Sequence, residues 1–260
     1  IRNPHKIYGG FFLNYTLYTL FMSHPEQTKF ITDCLSIIKK EFNNPDVLEV
    51  GSYNVNAIVK YKEFIGNCNY LGVDLVAGPD VDLVIDGENI NKLNKKFDII
   101  ISAECFEHAE NWKGIFRQMT ESIKENGYII LTIASKGRLE HGTMRTTDSD
   151  SPGTGDYYKN LIKRDFYKNF NIDRLFEDVF FFYNIHSYDL YIILRKKRKG
   201  NSIELIKEMY SNLYKNIPKF KNLKRYIISS IIGNKNFQNL ILLTRKIKKD
   251  WIFNPFFYLI

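Results

Sequence analysis

The chain is poor in several features at once, and each shortage excludes something. No stretch reaches the ~18 consecutive apolar residues that a membrane-crossing helix needs. The nearest, FFLNYTLYTLFM at 11–22, is short and carries polar residues. It also lacks a small-residue cleavage pattern, which argues against a secretory leader. Cysteine is confined to Cys34, Cys68 and Cys105. An odd, scattered set without a CxxC pair speaks against a disulfide framework or a zinc site and for a reducing cytoplasm. The dinucleotide fingerprint G-x-G-x-x-G is missing too: Gly51 is followed by Ser52, Tyr53, Asn54, Val55 and Asn56. Without the second and third glycines there is no visible pyrophosphate cradle. No internal repeat is evident.

What is present suffices for a folded body. The 260 residues are 44% hydrophobic and 15% aromatic, enough to bury the core of one ordinary domain plus an appendage. The net charge of +8 is unevenly spread. Arg195 to Ile260 holds 16 Lys+Arg against 3 Asp+Glu, a balance of +13, whereas residues 1–194 sum to −5. This division predicts a domain over 1–199, with its core at about 24–196, and a basic helical extension over 200–260.

Within the first part, helical and strand patterns alternate. His24–Phe42 has apolar residues at helical spacing, with Pro25 suited to a first turn. DVLEVGS then reads as a buried strand ending at Gly51, 54–65 as a helix, and 70–76 and 81–86 as strands. A fourth strand is expected at 97–104, a helix at 111–126 closed by Gly127, and a fifth strand at 128–135. The stretch 136–156 is a long polar loop, and a structureless loop of that length inside a domain usually carries function. A helix is expected around 157–170, then strands at 176–185 and 187–196, close enough to form a hairpin. The pattern predicts an α/β fold: a seven-stranded, mostly parallel sheet with helices on both faces and an antiparallel edge hairpin. Beyond Gly200, helices are expected at 201–217, in NLKRYIISSII and in NFQNLILLTRKIKKDWIF.

In such sheets ligands gather outside the carboxyl ends of the strands. This sequence puts a glycine or polar residue at each such end: Gly51 after the first, Asp74 after the second, Asp86 and Gly87 after the third, and Ser102, Ala103 and Glu104 at the fourth. Singly, a glycine after an apolar run is a turn and an acid at a strand end is a solvated cap. Their order and spacing point to an adenosine-bearing ligand, with Asp74 placed to accept ribose hydroxyls.

VLEVGS, YLGVDL, FDIIISAECFEHAENW and ENGYIILTI resemble, in order, successive motifs of the class I S-adenosylmethionine (SAM) dependent methyltransferases, over about residues 24–196. HPEQ at 24–27, GSYNVNA, EHGT at 140–143 and GDYYKNL at 155–161 resemble one subgroup of the type 11 methyltransferases, often found with glycan-synthesis genes. The first loop departs from the G-x-G common in class I enzymes. The resemblance implies that Glu49, Gly51, Ser52, Tyr53 and Asn54 line the methionine portion of SAM. It implies that Asp74 with Leu75 holds the ribose, that Asp86 and Gly87 lie near the adenine, and that Ala103 and Glu104 sit beside the transferring methyl.

Methyl transfer is an in-line displacement, so the protein positions two molecules and, for an alcohol acceptor, removes a proton. His108 and His141 are the candidate bases, since imidazole titrates near neutrality; the plainer reading is that His108 caps a helix and His141 orders its loop. Arg145, Tyr157 and Tyr158 could grip a polar acceptor, or could simply pack the loop. Glu104, Glu107, His108, Glu140 and His141 raise the question of a metal. Glu107 and His108 are sequence neighbours expected to diverge, so no metal is expected.

The basic tail has three readings, in order: packing on the body or on a second subunit, contact with an anionic membrane surface, and an RNA footprint. The expected activity is methyl transfer from SAM, with S-adenosylhomocysteine (SAH) as product, to a hydroxyl or phosphate oxygen of a small metabolite, activated sugar or surface-glycan (capsule-type) precursor. It is expected in the cytoplasm, with peripheral contact at the inner membrane face as an option. The rivals are an RNA methyltransferase working through the tail and a non-enzymatic membrane-surface scaffold of the same fold.

Overall fold

The period-two burial that the strands show in sequence becomes a sheet with a separate apolar layer on each face. The computed structural model describes residues 25–55, 61–197, 200–215 and 223–250. Seven strands are present: β1 Asp46–Val50, β2 Asn69–Asp74, β3 Leu83–Val84, β4 Phe97–Ala103, β5 Ile123–Ala134, β6 Asp178–Asn184 and β7 Asp189–Arg195. Their order is β3-β2-β1-β4-β5-β7-β6. All pairs are parallel except β5–β7 and β6–β7, so the chain ends its sheet in an antiparallel hairpin. From β1 the chain builds outward to β2 and β3, then crosses to β4 on the other side. That reversal opens a crevice at the carboxyl ends of β1 and β4.

Helix α1 (Pro25–Ile38) lays Phe30, Ile31, Cys34, Leu35 and Ile38 on one face of the sheet. There they meet Val47, Ile99, Ile101, Ile130, Tyr191 and Ile193. Helix α2 (Tyr61–Ile65) joins them, as do Ile203, Ile206 and Tyr210 of α6 (Ser202–Lys215). The start of the basic tail therefore shares the main core. On the opposite face, α3 (Trp112–Ser122) packs Trp112, Ile115, Phe116 and Met119 against Leu48, Val50, Ile100, Ile129 and Leu131. Phe166 of α4 (Lys163–Asn169) and Ile172 of α5 (Ile172–Leu175) close that layer. Two more helices follow, α7 (Leu223–Ile232) and α8 (Asn234–Asp250).

Several boundaries differ from expectation. The helix expected to run to 126 stops at Ser122, and β5 begins at Ile123. Ile123 pairs with Phe97 across an irregularity in the ladder, and its side chain is buried, so tertiary pairing overrides the polar, helix-compatible KEN that follows. The first helix gives way to a single tight turn at Lys39–Glu41. The third strand shrinks to Leu83–Val84 at the exposed edge. The helix expected from 157 begins only at Lys163, because Asn160 bonds its side-chain nitrogen to the carbonyls of Ser135 and Arg138 and holds the approach non-helical. Of the helix expected at 54–65, only Tyr61–Ile65 is seen; Asn54 and Val55 belong to the preceding turn, and 56–60 lie outside the described residues, as do 11–22 and 251–260. Among the described residues no helix is long and apolar enough to cross a membrane.

A buried ion pair ties the two ends of the body together. Arg195, 1% exposed, donates to Glu41 at 2.6 Å and lies over the Tyr128 ring at 4.4 Å, while the Tyr128 hydroxyl also donates to Glu41. Ser202 at the start of α6 joins the same carboxylate.

Candidate active site

The first loop is shaped by one glycine. Gly51 has φ +78°, a left-handed conformation that glycine adopts without a side-chain penalty. A Cβ there would lie 2.7 Å from both Cβ and Sγ of Cys105. The amides of Gly51 and Ser52 both donate to the Val73 carbonyl, at 2.9 and 3.1 Å, so the turn is pinned to the end of β2. The next amide, of Tyr53, donates to Asp74 Oδ2 at 3.0 Å, and Val76 N–H reaches Oδ1 at 3.4 Å. Asp74 is thereby fixed at the lip of the crevice, and its burial raises its pKa.

The carboxyl ends of β1 to β4 enclose a cavity of about 320 Å³, within the roughly 300–1,000 Å³ of small-molecule sites. Glu49, Gly51, Ser52, Tyr53, Asn54, Asp74, Leu75, Asp86, Gly87, Ala103 and Glu104 all contribute to its wall, and so does His108. Every residue that the sequence nominated for the cofactor therefore reaches one cavity. Its size, the close approach at Gly51 and the carboxylate at Asp74 suit an adenosine-containing ligand with a polar tail.

The members do different things. Glu49 accepts from the Tyr70 hydroxyl, and burial pushes its pKa up to about 8 against that bond. Asp86 caps the turn after β3 by accepting from Glu88 N–H at 2.9 Å. Gly87 leaves room for Ile115 and Val50, whose side-chain carbons would stand 3.1 Å from a Cβ. Glu104, a non-glycine residue at φ +49°, is strained where β4 ends. Its amide donates to Thr132 O and its carboxylate meets Arg138 at 3.4 Å.

Behind Glu104 lies a buried polar cluster that the sequence only partly disclosed. Glu107 and Asp189 are fully buried and Arg138 nearly so. Arg138 stands 3.6 Å from Asp189 and donates to the Ser187 carbonyl. Burial raises the pKa of Glu104 well above the usual range, Glu107 to about 7 and Asp189 to about 6. The Glu104 and Glu107 carboxyls adjoin, close enough to share a proton. Glu107 Oε1 also accepts from Ala134 N–H at 3.2 Å. Burial and then the charge of Arg138 depress His108 to about 4, which keeps it neutral.

The expected divergence of Glu107 and His108 does not occur. One ligand-capable atom from each of Glu107, His108 and His141 falls within 4.8 Å of the other two. The short turn at Phe106–His108 folds both side chains inward, and Gly142, at φ +64°, lets the long loop press its backbone on the His108 ring. His141 stands behind the wall, with Nδ1 3.0 Å from the Leu139 carbonyl.

The proposed acceptor residues sit elsewhere. Arg145 is held by both oxygens of Glu140, at 3.0 and 2.5 Å, and by Asn239, and does not line the cavity. Tyr158 stacks edge-on to both histidines and donates to Leu139 O. Tyr157 also lies off the wall. A planar bidentate carboxylate satisfies a guanidinium more fully than a loop approaching solvent can, which explains why Arg145 turns to Glu140. The loop enters the wall instead through Asp150, Ser151, Pro152 and Thr154.

Arg138, Asp189 and Gln238 escaped the sequence reading. Gln238, on α8 and 5% exposed, accepts from Glu140 N–H and donates to Arg138 O and Asn160 Oδ1. A lone glutamine in a basic tail gives no local sign of such a role.

Residues 24–179 match the family described as Methyltransferase domain. No curated protein sequence matches the chain. Among solved structures it is similar to the plantazolicin methyltransferase BpumL in complex with a triazolic desmethylPZN analog and SAH, at 14% identity and TM-score 0.48, over 71% of this chain and 90% of that one. It is also similar to the Burkholderia thailandensis 1,6-didemethyltoxoflavin-N1-methyltransferase (12%, TM-score 0.44, 66% and 80%). The third is the N-methyltransferase NodS of Bradyrhizobium japonicum (12%, TM-score 0.43, 68% and 90%). The family match spans more than half of the chain, and with the strand order and the glycine turn already described, the chain belongs to the class I SAM-dependent methyltransferases.

Proposed function

We propose that the chain transfers the methyl group of SAM to a hydroxyl or phosphate oxygen on a small molecule, an activated sugar or a surface-glycan precursor being the favoured class. The observation that carries the reading is the meeting, in one cavity, of the strand-end residues with Glu104 and His108. Glu49, the 51–54 loop, Asp74 and Asp86 are the proposed contacts to the cofactor. SAM supplies an electrophilic methyl, which leaves sulfur for the acceptor oxygen, while the proton of a hydroxyl acceptor passes to a protein base. The ionised member of the Glu104–Glu107 pair suits that role better than His108, whose depressed pKa makes it a weak base at neutral pH. A small acceptor is favoured because the cavity is of small-molecule size and the long loop adds Asp150, Ser151, Pro152 and Thr154 to its wall.

The test is calorimetric titration of SAM and SAH into the wild type and Asp74→Ala. Micromolar binding weakened at least tenfold by the substitution is the expected result. Absence of binding to well-folded protein removes the assignment of this cavity. A panel of hydroxylated and phosphorylated sugars, read by mass shift, then tests the acceptor class.

A further inference from the structure

His108 is 3% exposed, and neither of its ring nitrogens has a hydrogen-bond partner among the described residues. A neutral imidazole has one donor and one acceptor, and burying both unsatisfied is destabilising. Glu107 Oε2, fully buried beside it, accepts from no N–H or hydroxyl group among the described residues, its carboxyl adjoining that of Glu104. The cluster is also rich in acid: three carboxyls, of Glu104, Glu107 and Asp189, face the single guanidinium of Arg138. His108 nitrogens without partners among the described residues and an excess of carboxyls over guanidinium together suit a divalent cation.

The geometry points to a site for a divalent first-row transition ion, Zn²⁺ or Mn²⁺ in chemistry, held by Glu107, His108 and His141. Their candidate ligand atoms lie within 4.8 Å of one another, with His141 Nε2 3.9 Å from Glu107 Oε1. Ligands bound at about 2.1 Å stand roughly 3.4 Å apart in a tetrahedral site, so side-chain adjustments of about an ångström close it. Two imidazoles with one carboxylate select such ions over Mg²⁺ or Ca²⁺, which prefer oxygen alone. His141 is already oriented as a ligand. Its Nδ1–H donating to Leu139 O leaves the lone pair on Nε2, the arrangement by which metal-bound histidines are commonly steered. Tyr158 walls the far side of both rings. Because His108 and Glu104 also line the cavity, the ion borders it and can hold an acceptor oxygen, lowering that oxygen's pKa. This last role rests on the methyl-transfer reading; the binding of the ion does not.

The test uses the full chain stripped with chelator, then titrated with Zn²⁺ and Mn²⁺ by calorimetry and with Co²⁺ by visible absorption, SAH affinity being measured alongside. One equivalent is expected, with affinity falling at least tenfold in His108→Ala and in His141→Ala but not in His186→Ala. The Co²⁺ complex of the wild type is expected to give the intense bands of a low-symmetry nitrogen-ligated site, a readout that needs no variant to fold. Lack of stoichiometric binding by protein that still takes SAH overturns the site and leaves the methyltransferase reading standing. Binding unchanged in both ligand variants, or a Co²⁺ spectrum of the hydrated ion, overturns it as well.

Discussion

The cavity has two walls of different material, an inner row that lines it and an outer layer that stands behind Glu104. One is the row of strand ends, Glu49 to Asn54, Asp74 and Asp86, each placed by a ladder or a turn within a few residues of its neighbours. The other is assembled over long separations: Glu104 and Glu107 from the end of β4, Arg138 and His141 from the long loop, Asp189 from the hairpin, and Gln238 from the tail. The first wall needs only a parallel sheet to exist. The second needs the loop and the tail to dock, and every buried charge in it depends on partners brought from elsewhere. The strand-end wall thus follows from the sheet alone, whereas the loop wall depends on segments that the sheet does not position.

The largest expected effect breaks the first wall. Gly51→Ala puts a side chain at a left-handed backbone position and into Cys105. SAM affinity should fall roughly tenfold or somewhat more while the sheet persists, since strain of ~1–2 kcal/mol falls on the turn proposed to hold the cofactor. Calorimetry with circular dichroism checks it; unchanged affinity would mean that the turn does not cradle the ligand.

Gln238→Ala tests the second wall with an intermediate effect. It strips the Gln238 acceptor from Glu140 N–H and one of the two donors from Arg138 O, which keeps Asn160, at about 1–3 kcal/mol for the buried amide left unpaired. The expected outcome is a KM for acceptor raised about tenfold, with SAM affinity within twofold of the wild type. If SAM binding falls equally, the two walls are one unit and the comparison fails.

The smallest effect concerns pH. With a folded-state pKa near 8 and an unfolded value of about 4.3, Glu49 binds its proton more tightly when folded. It therefore contributes stability that is fully present below the unfolded pKa and lost as pH rises through about 8. The melting temperature of Glu49→Gln should accordingly lose less than that of the wild type between pH 5 and 8.5. Parallel melting curves would show that Glu49 ionises freely.

The first wall was legible because it is local. YLGVD and FDIIISAE announce strands, and the polar residue closing each one must stand at the same edge of a parallel sheet. The acceptor side was legible only as a suspicion: a polar loop too long to be idle. Arg145 has the right chemistry for gripping a phosphate, yet Glu140, five residues earlier, engages it first. Glu107 and His108, adjacent in sequence, would point apart on a strand, but the tight turn after Cys105 folds them together. The helix expected to reach 126 likewise gave way at Ile123, where pairing with Phe97 outweighed local propensity.

By itself the sequence determined the seven-stranded architecture, the turn at Gly51 and the identity of the strand-end residues, because these follow from periodicity, steric freedom and parallel register, all of which are read within a few residues. Only the tertiary structure decided that α6 enters the core, that Gln238 buttresses the loop, and that Glu107, His108 and His141 converge. Those contacts join positions up to 177 residues apart, as where the Tyr210 hydroxyl of α6 donates to Asp33. They are set by which surfaces remain to be buried after the sheet has formed, and no local pattern records that.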